Sequence, residues 1–280
     1  MSLSMKLLAS GTGWRVCDAV CTSGPGDPCY VEQHGAFSIA LVTDGNFQYR
    51  TAQGSALMTP GSLMLGNPGA CFECGHPHTR GDRCLAFHFS PETFESIVAG
   101  IPGATRLALG AARLPPVPSI LGVLAAAQAL RDTDAGGTPE EFRELALQLA
   151  GAVCTTLNEN TSPPPRAPTS RDERRVAAAL RCIEAQHDTR ISVDDLAAAA
   201  AVSPFHFLRI FERVVGVTPG QYMLRTRLRR AAVKLRRSSD AIAAVALDSG
   251  FDDLSTFNRQ FRRATGLTPG AYRERRPPLR

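Results

Sequence analysis

The chain has 280 residues, 44% hydrophobic and 20% charged, which excludes an extensively disordered protein and leaves room for two domains with separate cores. Its net charge of +5 is unevenly held: residues 1–170 carry ten Lys+Arg against fourteen Asp+Glu, and residues 171–280 carry twenty-one against twelve. Affinity for nucleic acid is therefore expected of the second part alone, and no segment approaches the roughly 18 apolar residues of a membrane helix.

The opening MSLSMKLLASG holds one lysine and a three-residue apolar run, too little for the apolar core of a signal peptide. The expected location is the cytoplasm, where the eight cysteines would be free thiols or metal ligands rather than disulfides. Residues 11–90 consist of short apolar segments such as SIALVTDGNFQYR, LMTPGSLMLGNPG and RCLAFHF, broken by Gly, Pro, Asp and Asn. They read as short strands, with Asp44-Gly45 a hairpin turn and Thr59-Pro60-Gly61 a second tight turn, in a small β-barrel or sandwich. Trp14, Phe37, Phe47 and Tyr49 are candidates for lining a small-molecule pocket, set against the plainer reading as core.

Between those strands lies Cys71-x2-Cys74-x-His76-x-His78-x5-Cys84. Thiolates and imidazoles are the ligands zinc prefers, and C-x2-C on one turn brings two sulfurs to a single ion. The set chosen is Cys71, Cys74, His76 and Cys84, with Cys21 a more distant ligand. Zinc is the first choice and copper(I) is compatible. Such an ion would fix a long loop or act as the sensor. The alternatives are ordinary buried thiols beside surface histidines, or reactive thiols at Cys17, Cys21 and Cys29 that sense oxidants or electrophiles.

Two helical patterns follow, at about 118–131 and 139–158, the second with Phe142, Leu145, Leu149 and Val153 on one face. They form an appendage expected to pack on the strands or on a second subunit. NTSPPPRAPTS, residues 160–170, has four prolines and should be an extended linker. The expected division is a sensor and dimerisation domain at 1–158, a linker at 159–170 and a DNA-binding domain at 171–280.

In the last part Ser192 with Asp195 fits a capping box before an Ala-rich helix. A second helix, about Pro204 to Val215, puts Phe207, Ile210, Phe211 and Val214 toward the core and leaves Phe205, His206, Leu208, Arg209, Glu212 and Arg213 outward. Gly216 ends it, and Thr218-Pro219 starts a third helix long enough to be a rod. Fifty residues on, the pattern returns: Arg209, Phe211, Arg213, Gly216, Thr218, Pro219, Gly220 and Tyr222 match Arg259, Phe261, Arg263, Gly266, Thr268, Pro269, Gly270 and Tyr272. The unit repeated is a helix-turn-helix. Its second copy has a short helix from Ile242 and a recognition helix from about Leu254 to Ala264, with Ser255, Thr256, Asn258, Arg259 and Arg262 outward. A rod holding both recognition helices on one side would admit them to successive major grooves, about 34 Å apart. Arginine suits guanine and asparagine suits adenine, because each makes paired hydrogen bonds to those base edges. The rod's own Arg225, Arg227, Arg229, Arg230, Arg236 and Arg237 are expected at phosphates or on a solvated face.

Residues 171–280, with S-P-F-H-F-L-R-I-F and G-F-D-D-L-S-T-F-N-R-Q-F, resemble the C-terminal domain of the AraC/XylS family of bacterial transcription regulators. The resemblance implies base-contacting positions at Phe205, Leu208 and Arg209 and at Leu254, Ser255, Asn258 and Arg259, with leucines at 208 and 254 where polar readers are more usual. It implies an α+β protein, with a cupin-like N-terminal barrel that senses a signal and dimerises. Pro60-Gly61-Ser62-Leu63-Met64-Leu65 resembles the second cupin motif. The metal-binding His-x-His is absent, since His34 is followed by Gly35 and Ala36, which points away from an enzyme. The function expected is a sequence-specific, DNA-binding regulator that answers a small-molecule or a metal or thiol signal. Its expected partners are duplex DNA, a second copy of the chain, an effector and, as a further candidate, RNA polymerase. The alternative is a zinc-thiolate alkyl acceptor for DNA repair, suggested by Cys17-x3-Cys21 with Cys71-x2-Cys74.

Overall fold

A computed structural model describes residues 3–101, 107–132, 137–159, 168–185 and 191–274. The first half is built on ten strands: β1 Leu3–Gly11, β2 Trp14–Cys21, β3 Val31–Gln33, β4 Phe37–Gly45, β5 Phe47–Thr51, β6 Gly54–Met58, β7 Leu63–Gly66, β8 Cys71–Gly75, β9 Asp82–Phe89 and β10 Arg113–Leu114. They form two antiparallel sheets, ordered β1-β2-β9-β4-β7-β10 and β3-β8-β5-β6. Strand alternation divides the larger sheet's side chains between two cores. Ala40, Val42, Cys84 and Ala86 meet Phe47, Tyr49 and Met58 of the smaller sheet. Ile39, Leu41, Leu63, Leu65, Leu85 and Phe87 face the other way, against helices.

Those helices are α1 Pro91–Ala99, α2 Leu121–Arg131 and α3 Pro139–Glu159. The four candidate pocket aromatics fall on different sides of the larger sheet: Trp14 and Phe37 pack in the helix-covered core, and Phe47 and Tyr49 between the sheets. The turn at Asp44-Gly45 is required twice over. Gly45 has φ +71, and a Cβ there would stand 2.3 Å from the carbonyl oxygen of Gly81.

The second half has α4 Ser170–Ala185, α5 Val193–Ala199, α6 Pro204–Val215, α7 Pro219–Arg237, α8 Ile242–Asp248, α9 Leu254–Thr265 and α10 Pro269–Glu274. Most of the proline-rich linker, at 160–167, lies outside the described residues. The rod α7 serves both units: Tyr222 joins the core of the first, and Leu228, Ala231, Ala232 and Leu235 join the core of the second.

The appendage proves to be a shared wall. Ile120, Leu124 and Ala127 pack on the strand core, while Leu121 and Ala125 are buried in the α7 core. Small side chains at Ala125, Ala231 and Ala232 let α2 and α7 approach closely. Ala125→Leu adds three carbons where no space exists and should cost about 1–3 kcal/mol. The check is a lower urea midpoint for the variant than for the wild type, with far-UV circular dichroism of the native state unchanged.

Candidate nucleic-acid interface

Both recognition helices are set by the same local devices. Ser203 caps α6 by accepting a hydrogen bond from the His206 amide, and Asp253 caps α9 through the Thr256 amide. Gly216 and Gly266 end them in the left-handed conformation, φ +87 and +77. Behind each helix the repeated aromatics pack in the same order, tilted within the helix and edge-on to the tyrosine. Ring centroids are 5.4 Å apart for Phe207–Phe211 and 5.8 Å for Phe211–Tyr222, against 5.4 Å for Phe257–Phe261 and 5.3 Å for Phe261–Tyr272.

With the apolar stripes fixed inward, the opposite faces are open. Phe205, His206, Leu208 and Arg209 are exposed on α6, and Leu254, Ser255, Asn258, Arg259 and Arg262 on α9, with Thr256 half-buried. Phe205 is 74% exposed, Leu208 40% and Leu254 42%, although each sits on a well-packed helix. Neither Arg209 nor Arg259 forms an ion pair among the described residues. Arg259 makes one long contact, Nη2 to Thr256 Oγ1 at 3.5 Å. Arg213 departs from the expected outward placement. It is half-buried, and its Nη1 lies 3.7 Å from Asp172 Oδ2 on α4, so it joins helices within the domain.

Several arginines of α7 also depart from expectation, because α2 and the strands cover part of the face on which they were placed, while Arg237 stays exposed. Arg225 donates to Pro116 O, Arg236 stacks 4.6 Å above the Tyr272 ring, and Arg237 lies 3.9 Å from Asp132. Arg229 leaves Nη1 buried and unbonded, beside a cavity of about 610 Å³ between the halves. Glu184 of α4 and Asp44 line the same cavity. Burial, and then the nearby Asp44 charge, push the Glu184 carboxyl up to about 7.

A further arginine crosses from the first half to the second. Arg113 of β10 donates from Nη1 to Val214 O at 2.8 Å and Leu57 O at 3.1 Å. Val214 carries one of the carbonyls left unpaired at the end of α6, so a cation from the strand domain caps a recognition helix. Burial lowers the Arg113 pKa to about 10, which leaves it charged at neutral pH. Sequence reading missed this residue, since nothing local marks an arginine on a two-residue strand as a helix cap.

The candidate metal ligands do not all converge. Residues three apart on a strand point to opposite faces, so Cys71, exposed on β8, is parted from Cys74, which packs between the sheets. The convergent group is Cys21, His76 and Asp82, one ligand atom of each lying within 4.8 Å of the others. Cys84 adjoins it, with Sγ 3.5 Å from Asp82 Oδ2. His78 lies on the loop beyond, its Nε2 buried without a partner.

Residues 196–275 match the model of a helix-turn-helix domain, and residues 24–150 that of the AraC-like ligand-binding domain. The chain is similar to the transposon Tn10 TetD protein of Escherichia coli, 37% identical over 94 residues that make up 34% of this chain and 68% of that protein. It is similar to the HTH-type transcriptional activator AarP of Providencia stuartii, 31% identical over 98 residues, 35% of this chain and 73% of that protein. To the Right origin-binding protein of Escherichia coli strain K12 it is 37% identical over 106 residues, 35% of this chain, and it spans only 37% of that protein's length. Nothing in these matches supports the alkyl-acceptor alternative. No helix among the described residues is long and apolar enough to cross a membrane.

The raised Glu184 pKa has a consequence for stability. Folding takes up a proton at this site between the ordinary carboxylate value of 4.5 and about 7, so stability falls as pH rises through that window. Glu184→Gln keeps the shape of the neutral acid and should remove that slope. Denaturation at pH 8 should show the variant about 1–2 kcal/mol more stable than wild type, after allowance for solvent screening, and at pH 4 the two should coincide.

Proposed function

Because this chain belongs to the AraC/XylS family of bacterial transcription regulators, we propose that it binds specific duplex DNA through α6 and α9 and regulates transcription in answer to a signal received by its N-terminal half. The observation that carries this reading is the repeated unit itself: two capped helices on one rod, each presenting an arginine with no ion pair among the described residues. Helices so joined reach successive major grooves on one face of a duplex, about 34 Å apart. Arg209 and Arg259 read guanine edges or bind phosphate, and Asn258 reads adenine. The exposed Leu208 and Leu254 supply apolar contact to thymine methyl groups, which carry sequence information without hydrogen bonds. Phe205 adds to that apolar surface. His206, Ser255, Thr256 and Arg262 complete the contact zone, and Arg213 acts by holding α6 against α4.

The signal enters through the half that matches a ligand-binding domain and passes to α6 through Arg113 and to α7 through α2. Dimerisation through the N-terminal half is supported by β1, an edge strand whose Leu3, Met5 and Leu7 are 44%, 50% and 57% exposed along one face. Met5→Lys should shift the sedimentation coefficient of the full chain from dimer to monomer. An unchanged coefficient would remove that strand from the interface.

Selection from a random duplex library, followed by fluorescence anisotropy on the enriched site, tests DNA recognition. The wild type should enrich a defined sequence and lose affinity steeply as salt rises. Arg209→Ala and Arg259→Ala should each weaken binding by about 1–3 kcal/mol. Arg213→Ala should act mainly on the melting temperature. Absence of enrichment, together with binding insensitive to salt, would sink the reading.

A further inference from the structure

Away from the DNA-facing surface, metal-ligating side chains gather at one end of the two sheets. Cys21 closes β2 and pairs in register with Asp82 at the start of β9. His76 immediately follows β8, and its Nε2 lies 2.5 Å from Asp82 Oδ1. The His76 and Asp82 side chains are 3% and 10% exposed. One ligand atom from each of the three residues lies within 4.8 Å of the other two. Cys84, two positions along β9 from Asp82, shares its face and places Sγ 3.5 Å from the second carboxylate oxygen.

We propose that this end of the sandwich is a binding site for one thiophilic divalent cation, zinc by its chemistry, held by Cys21, His76, Asp82 and Cys84. Two sulfurs, a nitrogen and an oxygen are a donor set that zinc accepts in tetrahedral array, and thiolates disfavour magnesium and calcium. The geometry is that of a site closed by a hydrogen bond rather than by an ion. His76 and Asp82 stand at hydrogen-bond distance, whereas two ligands with ~2.1 Å bonds to one tetrahedral ion stand ~3.4 Å apart. Entry of the ion opens that pair by about 1 Å, and the two sulfurs close in by side-chain rotation. The ion takes the place of the His76–Asp82 hydrogen bond and of the protons on the cysteine thiols it binds.

The position gives the site reach. The loop from Pro77 to Gly81 joins His76 to Asp82 and touches the second half, where Arg181 of α4 donates to His78 O at 3.1 Å. Thr79 Oγ1 donates to Asn46 O at 2.6 Å, and Gly81 lies against Gly45. An ion that fixes both ends of this loop fixes a support of α4.

The test uses the full chain, reduced, stripped with a chelator and titrated with zinc(II), then with cobalt(II) as a coloured stand-in. The expected result is one ion per chain, with a tetrahedral cobalt spectrum bearing thiolate charge-transfer bands. Cys21→Ser and Asp82→Asn should each weaken binding at least tenfold, and Cys71→Ser should leave it unchanged. Should Cys21→Ser fail to fold, Cys21→His keeps a zinc ligand and should bind with a weaker charge-transfer band. No stoichiometric ion in the wild type, or a loss with Cys71→Ser as large as with Asp82→Asn, overturns the assignment. The measurement needs no DNA, so its failure is separate from failure of the DNA-binding reading.

Discussion

The structure depends on α7 being buried on two sides at once. Each helix-turn-helix unit needs the rod to complete its own core, and the strand domain needs it as a place to bury the second apolar stripe of α2. The repeated tyrosines sit where these demands meet. Each packs edge-on against a phenylalanine of its own recognition helix and turns its hydroxyl toward a carbonyl of the first half. Tyr272 donates to Gly122 O at 3.1 Å, and Tyr222 approaches Pro60 O at 3.5 Å. A buried phenol needs a hydrogen-bond partner. The duplicated residue therefore ties each DNA-reading unit to the neighbouring domain as well as to itself.

Those ties set polar contacts beside the apolar wall between the halves, with an energetic consequence. Arg113 is buried where its charge is balanced by the end of α6 and by Glu173, which in turn accepts from Gln48 of β5. A buried cation with good partners contributes little net stability, but removing one partner is costly. Such a contact is tolerant of the whole and intolerant of parts, and it favours discrete arrangements of the two halves over gradual loosening. Glu184 and Arg229 add unsatisfied atoms at the cavity edge, Oε1 and Nη1 respectively. Buried polar atoms without partners are a standing cost that a different placement of α4 against α7, or a polar occupant, would relieve.

The two recognition helices were legible in the sequence because their boundaries are written in local chemistry. Ser203-Pro204 and Gly216 delimit the first within the expected Pro204–Val215, and Asp253 and Gly266 bound the second within one residue of the expected end. Repetition then makes each copy a check on the other. What could not be read was everything decided by a neighbour far along the chain. The α7 arginines carry the pattern of a solvated face, and only the docking of α2 and the strand half turns Arg225 and Arg229 inward. The helix α4 has Val176, Ala179, Leu180 and Ile183 at helical spacing, a signal that was present and passed over. Cys71 and Cys74 form a pair only on a turn, and the strand period that separates them depends on whether residues 71–75 extend. Asp82 was missed as a partner of His76 because the group closes through the register of β2 with β9.

The location of the Cys21, His76 and Asp82 group follows from the same register. Along the inward face of β2 and β9, Cys17, Ala19 and Cys21 stand opposite Ala86, Cys84 and Asp82, and the side chains whose ligand atoms converge, Cys21 and Asp82 with His76, lie at the end of that face. The convergent group sits at the edge of the two sheets, and that edge is bounded by the loop that carries His78 to Arg181. Chemistry at the sandwich edge is thus one hydrogen bond from α4, and α4 is one ion pair from α6 through Asp172 and Arg213. The chain of contacts is short because the halves share their walls. In two domains joined by the proline linker alone, a change at Cys21 would have no physical route to Arg209.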